Sequence, residues 1–148
     1  MITTPQHYET AFAGDDLRTI ADARRWTREV LTSANLPEGL VDDALKCVSE
    51  LATNAARHTR SGEPGGKYQV VVEVIAGRQA HIEVVDQGGE HAPDIQLGRG
   101  ESGRGLWICA TLGVLQHCAA PSGGRRVWVD LPHPTCANAA HGPDGSER

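Results

Sequence analysis

An α+β two-layer sandwich, a mixed but mostly antiparallel sheet with helices on one face, is the fold this sequence predicts. Three observations carry that expectation. Segments 15–33 and 38–58 repeat apolar residues at three- and four-residue steps, as amphipathic helices do. Two pairs of strand-like runs, 67–75 with 79–86 and 114–119 with 125–131, each flank a short turn, and a further helical stretch lies between the pairs. The order helices, hairpin, helix, hairpin lets one helix layer cover one sheet.

Residues 1–14 form a short extended lead-in ending at Gly14. Asp15 or Asp16 is placed to cap the first helix, with acidic charge at its positive end. Leu17, Ile20, Ala23, Trp26 or Thr27, and Val30-Leu31 make its apolar stripe, and Arg18, Arg24, Arg25 and Arg28 fall mostly off it on a solvated face. Leu36-Pro37 breaks that helix. The second runs from Glu38 to His58, with Val41, Ala44, Leu45, Val48, Leu51, Ala52 and Ala55 on its apolar side. Turn composition over 60–66 ends it. KYQVVVEVI and QAHIEVVD then read as antiparallel strands joined through Ala76-Gly77-Arg78. After a loop over 87–100, a helix opens at Gly103–Gly105, and Val114–Ala119 and Arg125–Leu131 form the second hairpin around Pro121–Gly124. Beyond Pro132 the chain lacks the apolar content to offset the entropy of ordering, so 133–148 is expected to be a disordered tail.

With 148 residues, one domain with a real core is expected. No apolar run approaches the length of a membrane span and no basic-then-apolar start marks a secretory signal, so the expected location is cytoplasmic. A net charge of −5 argues against broad nucleic-acid binding, which needs clustered Lys and Arg, and favours a protein or small-molecule partner. The four cysteines, at 47, 109, 118 and 136, have no metal spacing and read as free, mostly buried thiols, with neither a structural metal nor a disulfide framework.

Three short segments carry chemistry. On the second helix, Glu50 and Asn54 sit four apart on one face, and His58 continues the row. Asparagine is a poor interior helix residue whose carbonyl oxygen suits a hard cation, and a carboxylate one turn earlier can polarise a water or hydroxyl. Such a row is also ordinary decoration of a wet helix face. Asp86 closes a strand before Gln87-Gly88-Gly89, where a fixed carboxylate can accept hydrogen bonds from an amino group and glycine lets a flat ring approach; Asp before Gly is equally a turn signal. Gly103-Arg104-Gly105 then stands at a helix entrance, where backbone N–H groups attract anions.

Taken in order, E-L-x-x-N-A-x-x-H at 50–58, D-x-G at 86–88 and G-x-G-L at 103–106 resemble the ATP-binding fold of the gyrase, histidine-kinase and heat-shock-chaperone superfamily. SELATNAARHT and the small size are similar to the bacterial anti-sigma-factor serine kinases. The resemblance covers about residues 10–132. It implies that Asn54 binds the Mg2+ bridging the phosphates of ATP, that Glu50 is general base toward a partner serine or water, and that Asp86 takes the adenine amino group with Gly88 admitting the base. Gly103, Arg104, Gly105 and the following Leu106 are implied to form the phosphate loop, with Arg57 and His58 near the phosphates. The implied function is a serine kinase that phosphorylates a small anti-sigma antagonist and, in its other state, sequesters a sigma factor. The alternative is a non-catalytic module that regulates a partner by contact. Homodimerisation through the N-terminal part is also implied, with the helix at 15–33 as its candidate. Two features depart from the pattern: DQGGEH replaces D-x-G-x-G, and the lid over 89–102 is short. No phosphoacceptor helix pair is read ahead of these motifs, so a complete histidine kinase is not expected.

Overall fold

The computed structural model describes residues 4–89 and 100–133. The expected lid over 89–102 lies mostly outside these residues, and the expected tail almost wholly so. Five strands and three helices are described: β1 (Gln6–Ala13), α1 (Thr19–Thr32), α2 (Glu38–His58), β2 (Lys67–Ile75), β3 (Gln79–Asp86), α3 (Gly100–Leu112), β4 (Val114–Ala119) and β5 (Arg125–Leu131). The sheet order is β1-β2-β3-β5-β4. All four pairings are antiparallel, so the sheet is not mixed in its hydrogen bonding. β3 and β4, linked through α3, do run parallel, but β5 lies between them.

Alternation explains which face is covered. Val70, Val72 and Val74 of β2, Ala80, Ile82 and Val84 of β3, and Val127, Val129 and Leu131 of β5 are all buried against the helices. α2 is the centre of the opposite layer, burying nine side chains from Leu40 to Ala55. At roughly 1.5–3 kcal/mol for each fully buried Val or Leu side chain, this helix is the least dispensable part of the fold.

The expected lead-in is an edge strand. Phe12 pairs across from Tyr68, stacks on its ring at 5.8 Å, and meets Trp26 of α1 edge-on at 6.4 Å. α1 begins at Thr19, later than expected, and neither aspartate caps it. Asp16 instead accepts the Arg18 N–H at 3.0 Å, and Asp15 accepts the Gly65 N–H at 2.9 Å. Both carboxylates are consumed by turns, leaving none for the helix end. Arg24 also departs from the solvated face: its guanidinium donates to the Leu45 carbonyl at 2.9 Å and to Ser49 Oγ, tying α1 to the middle of α2. Thr27 is buried, and its hydroxyl has no hydrogen-bond partner among the described residues.

Candidate functional site

Gly105 of α3 packs against Glu50 on α2, and the end of β3 is tied to the turn that follows α2. Glu50 and Asn54 are half-buried, one turn apart on α2. Among the described residues, no hydrogen bond engages either side chain. A half-buried carboxylate and amide without internal partners have their hydrogen-bonding capacity available to a ligand.

Gly105 is buried against Glu50. A Cβ at Gly105 would collide with Glu50 Oε1 and stand 3.0 Å from its Cδ. The glycine is therefore required by the neighbouring carboxylate. α3 starts at Gly100, so Gly103, Arg104 and Gly105 lie within its first turns and do not precede it, a correction to the expected helix entrance. In an α-helix the first four N–H groups lack intrahelical partners. The anion-attracting groups of α3 are thus those of residues 100–103, with Gly103 the last. Leu106 is buried in the core, which anchors this end of α3.

Asp86 is 4 % exposed at the end of β3. Burial pushes its carboxyl pKa upward, opposed by hydrogen bonds from the backbone N–H groups of Gly88 and Arg125. The Gly88 N–H reaches Asp86 Oδ1 at 2.7 Å, an Asx-type turn, and Gly88 adopts φ +76°, a conformation that favours glycine. Sequence reasoning missed what holds this turn. The Gln87 N–H donates to the buried Ser61 Oγ at 3.0 Å, and the Arg60 N–H donates to the Gly88 carbonyl at 2.6 Å. Thr59 Oγ1 in turn accepts from the Ser61 N–H at 3.0 Å. The short 3-10 turn Arg60–Gly62 after α2 thereby sets the Asp86 turn relative to Glu50 and Asn54. Gly124 completes the support, because a Cβ there would strike the Asp86 carbonyl. Arg57 and His58 are exposed at the last turn of α2.

A second polar cluster lies on the helix-free face. Glu83 accepts from Arg126 Nε at 2.8 Å and shares a 2.8 Å hydrogen bond with His81 Nε2, while His81 Nδ1 meets Asp130 at 2.7 Å. Burial alone would lower the His81 pKa, but these acceptors outweigh it and raise it to about 9. Burial would raise that of Glu83, but His81 and Arg126 bring it down to about 2. The four groups hydrogen-bond to one another, and Arg126 further contacts Cys118 Sγ and the Trp128 ring.

A five-stranded antiparallel sheet carrying three helices on one face is the architecture of the histidine-kinase-type ATPases. The profile of the histidine kinase-like ATPase domain matches residues 14–130, and the chain belongs to that family. Membership implies ATP binding. Comparison with curated proteins finds no match. Among solved structures, the chain is similar to the RsbU and RsbW domains of Rv1364c from Mycobacterium tuberculosis, with TM-score 0.62 and 17 % identity. The likeness covers 88 % of this chain and 32 % of that one, so the chain spans about a third of that structure's length. Among the described residues, no helix is long and apolar enough to cross a membrane.

Proposed function

We propose that this protein is a Mg2+-ATP-dependent serine kinase of the anti-sigma-factor type, phosphorylating a small antagonist protein in a partner-switching pathway. The observation that carries the reading is Glu50 and Asn54 one turn apart on the half-buried side of α2, with no hydrogen bond to either side chain among the described residues and Gly105 of α3 against Glu50. The RsbW domain in the similar structure supports the regulatory setting.

The residues fit the group. Glycine stands where a side chain would fill the space beside Glu50, and an acceptor carboxylate is fixed at the strand end. Asn54 offers a neutral oxygen for Mg2+. Asp86 accepts the adenine amino hydrogen, and Gly88 keeps the approach clear of a side chain. The N–H groups at the start of α3 receive phosphate oxygens, with Arg104, Arg57 and His58 as further contacts. Bound Mg2+-ATP supplies the transferable phosphoryl group and the cation that neutralises its charge. Glu50 takes the proton of the incoming serine hydroxyl, so that the chain's contribution is mainly positioning and charge. The setting is a cytoplasmic regulator of transcription, with an antagonist and a sigma factor as partners and a homodimer as the working assembly. In the alternative, a module that binds ATP and acts by contact, Glu50 has no proton to take.

Incubation with γ-labelled ATP, Mg2+ and a native lysate as acceptor source tests the reading. The parent protein should label a small protein on serine, and Glu50→Ala should not while still binding ATP. Equal labelling by Glu50→Ala would remove the base assignment. Absence of labelled acceptor with intact ATP binding would favour the contact module.

A further inference from the structure

α2 and α3 meet along a seam of small side chains. Glu50 faces Gly105, and one turn along, Cys109 Sγ lies 4.0 Å from the Cys47 carbonyl oxygen. Contacts 50 to 105 and 47 to 109 mean that the two helices run antiparallel here. Both cysteines are 0 % exposed, and the neighbouring Cys109 thiol raises the pKa of Cys47.

The backbones are close enough for more than packing. An ideal Cβ at Gly105 would stand 3.5 Å from Glu50 Cβ. Disulfides hold their Cβ atoms at about 3.5–4.5 Å. The seam therefore approaches to bridging distance one turn from the thiol pair. The Asp43 and Glu50 carboxylates also raise the Cys47 pKa, and neither thiol has a part in the nucleotide reading.

We propose that Cys47 and Cys109 form a redox modification site, an intramolecular disulfide that ties α3 to α2 beneath Glu50, formed by a peroxide. In the closed fold, burial and the neighbouring thiol keep the Cys47 sulfur protonated and hence unreactive. Access comes through α3, which over 105–112 buries Leu106 and Cys109 fully and Leu112 partly, fewer apolar side chains than the nine of α2. Elements with so few buried contacts open locally first. On opening, the Cys109 thiolate attacks one peroxide oxygen. An S–O bond forms, the O–O bond breaks, and hydroxide leaves to become water. As the helix closes, the Cys47 thiolate attacks that sulfenic sulfur; the S–S bond forms, the S–O bond breaks and a second water departs. Two thiols are oxidised and one peroxide is reduced.

The test uses hydrogen peroxide on the Cys118→Ser/Cys136→Ser protein, in which only Cys47 and Cys109 remain. After quenching and unfolding, both thiols should resist alkylation together, the monomer should have lost two hydrogens, and dithiothreitol should restore both. Adding Cys47→Ala should abolish the cross-link. Peptide mapping of the peroxide-treated parent chain guards against misfolding of the variant and should join the Cys47 and Cys109 peptides. Full alkylation of both thiols after peroxide, separate oxygen additions without a cross-link, or a bridge only between chains would each overturn the proposal.

Discussion

The Glu50 carboxylate occupies the place where a side chain at Gly105 would stand. The residue proposed as base and the glycine after Arg104, 55 positions apart in the chain, are thus adjacent in space. A substitution at one must be felt by the other, and the character of the clash decides how.

In Gly105→Ala the new methyl meets the far end of a flexible side chain, which can rotate away, and alanine gains about 0.5–1 kcal/mol over glycine within a helix. The two effects nearly offset, so urea unfolding should show a stability change within about 1 kcal/mol. Phosphoryl transfer, if Glu50 is the base, should fall by about 100-fold, the lower range for removing a positioned general base. Large destabilisation with unchanged transfer would contradict this account of the contact.

Gly124→Ala presents the opposite case. Its Cβ would meet the Asp86 carbonyl, a backbone atom that cannot rotate aside. Overpacking of this kind costs about 1–3 kcal/mol. Chemical denaturation should show that loss, accompanied by weaker ATP binding as the Asp86 turn shifts.

Ser61→Ala removes the acceptor of the Gln87 N–H within a buried turn. An orphaned donor costs about 1–3 kcal/mol. Thermal melts should register the loss, and Ser61→Thr, which keeps the hydroxyl, should recover more of the ATP affinity than Ser61→Ala.

The network on the open sheet face sets a pH dependence. His81 is raised in the folded chain from 6.5 to about 9, so its contribution is complete below pH 6.5 and is lost as pH rises toward 9. Glu83 is lowered from 4.5 to about 2, so its contribution is complete above pH 4.5 and is lost as pH falls toward 2. Urea unfolding from pH 6.5 to 9 should show a decline that is shallower in His81→Gln. An identical slope in the variant would show that His81 is not its source.

Much of the fold was legible because its signals are local. The apolar steps from Val41 to Ala55 and the runs KYQVVVEVI and QAHIEVVD mark α2, β2 and β3 within windows of under 22 residues. The starts of α1 and α3 were less legible than that of α2. Asp15 and Asp16 have the chemistry of caps, yet their carboxylates are taken by Gly65 and Arg18. The insertion of β5 between β3 and β4 depends on pairings with no sequence mark. At the site, Glu50, Asn54 and Asp86 were found as ordered motifs, whereas Ser61 was not, because its partner is 26 residues away. His81 and Glu83 carry no local mark of their network, because its other members, Arg126 and Asp130, arrive from β5.

Equilibrium binding of ATP with and without Mg2+, for the parent and Asn54→Ala, tests the central claim most directly. The account predicts Mg2+-dependent binding by the parent and at least about a tenfold loss, 1.4 kcal/mol, in Asn54→Ala. No binding by the parent, or equal Mg2+-dependent binding by the variant, would contradict a nucleotide site built on α2.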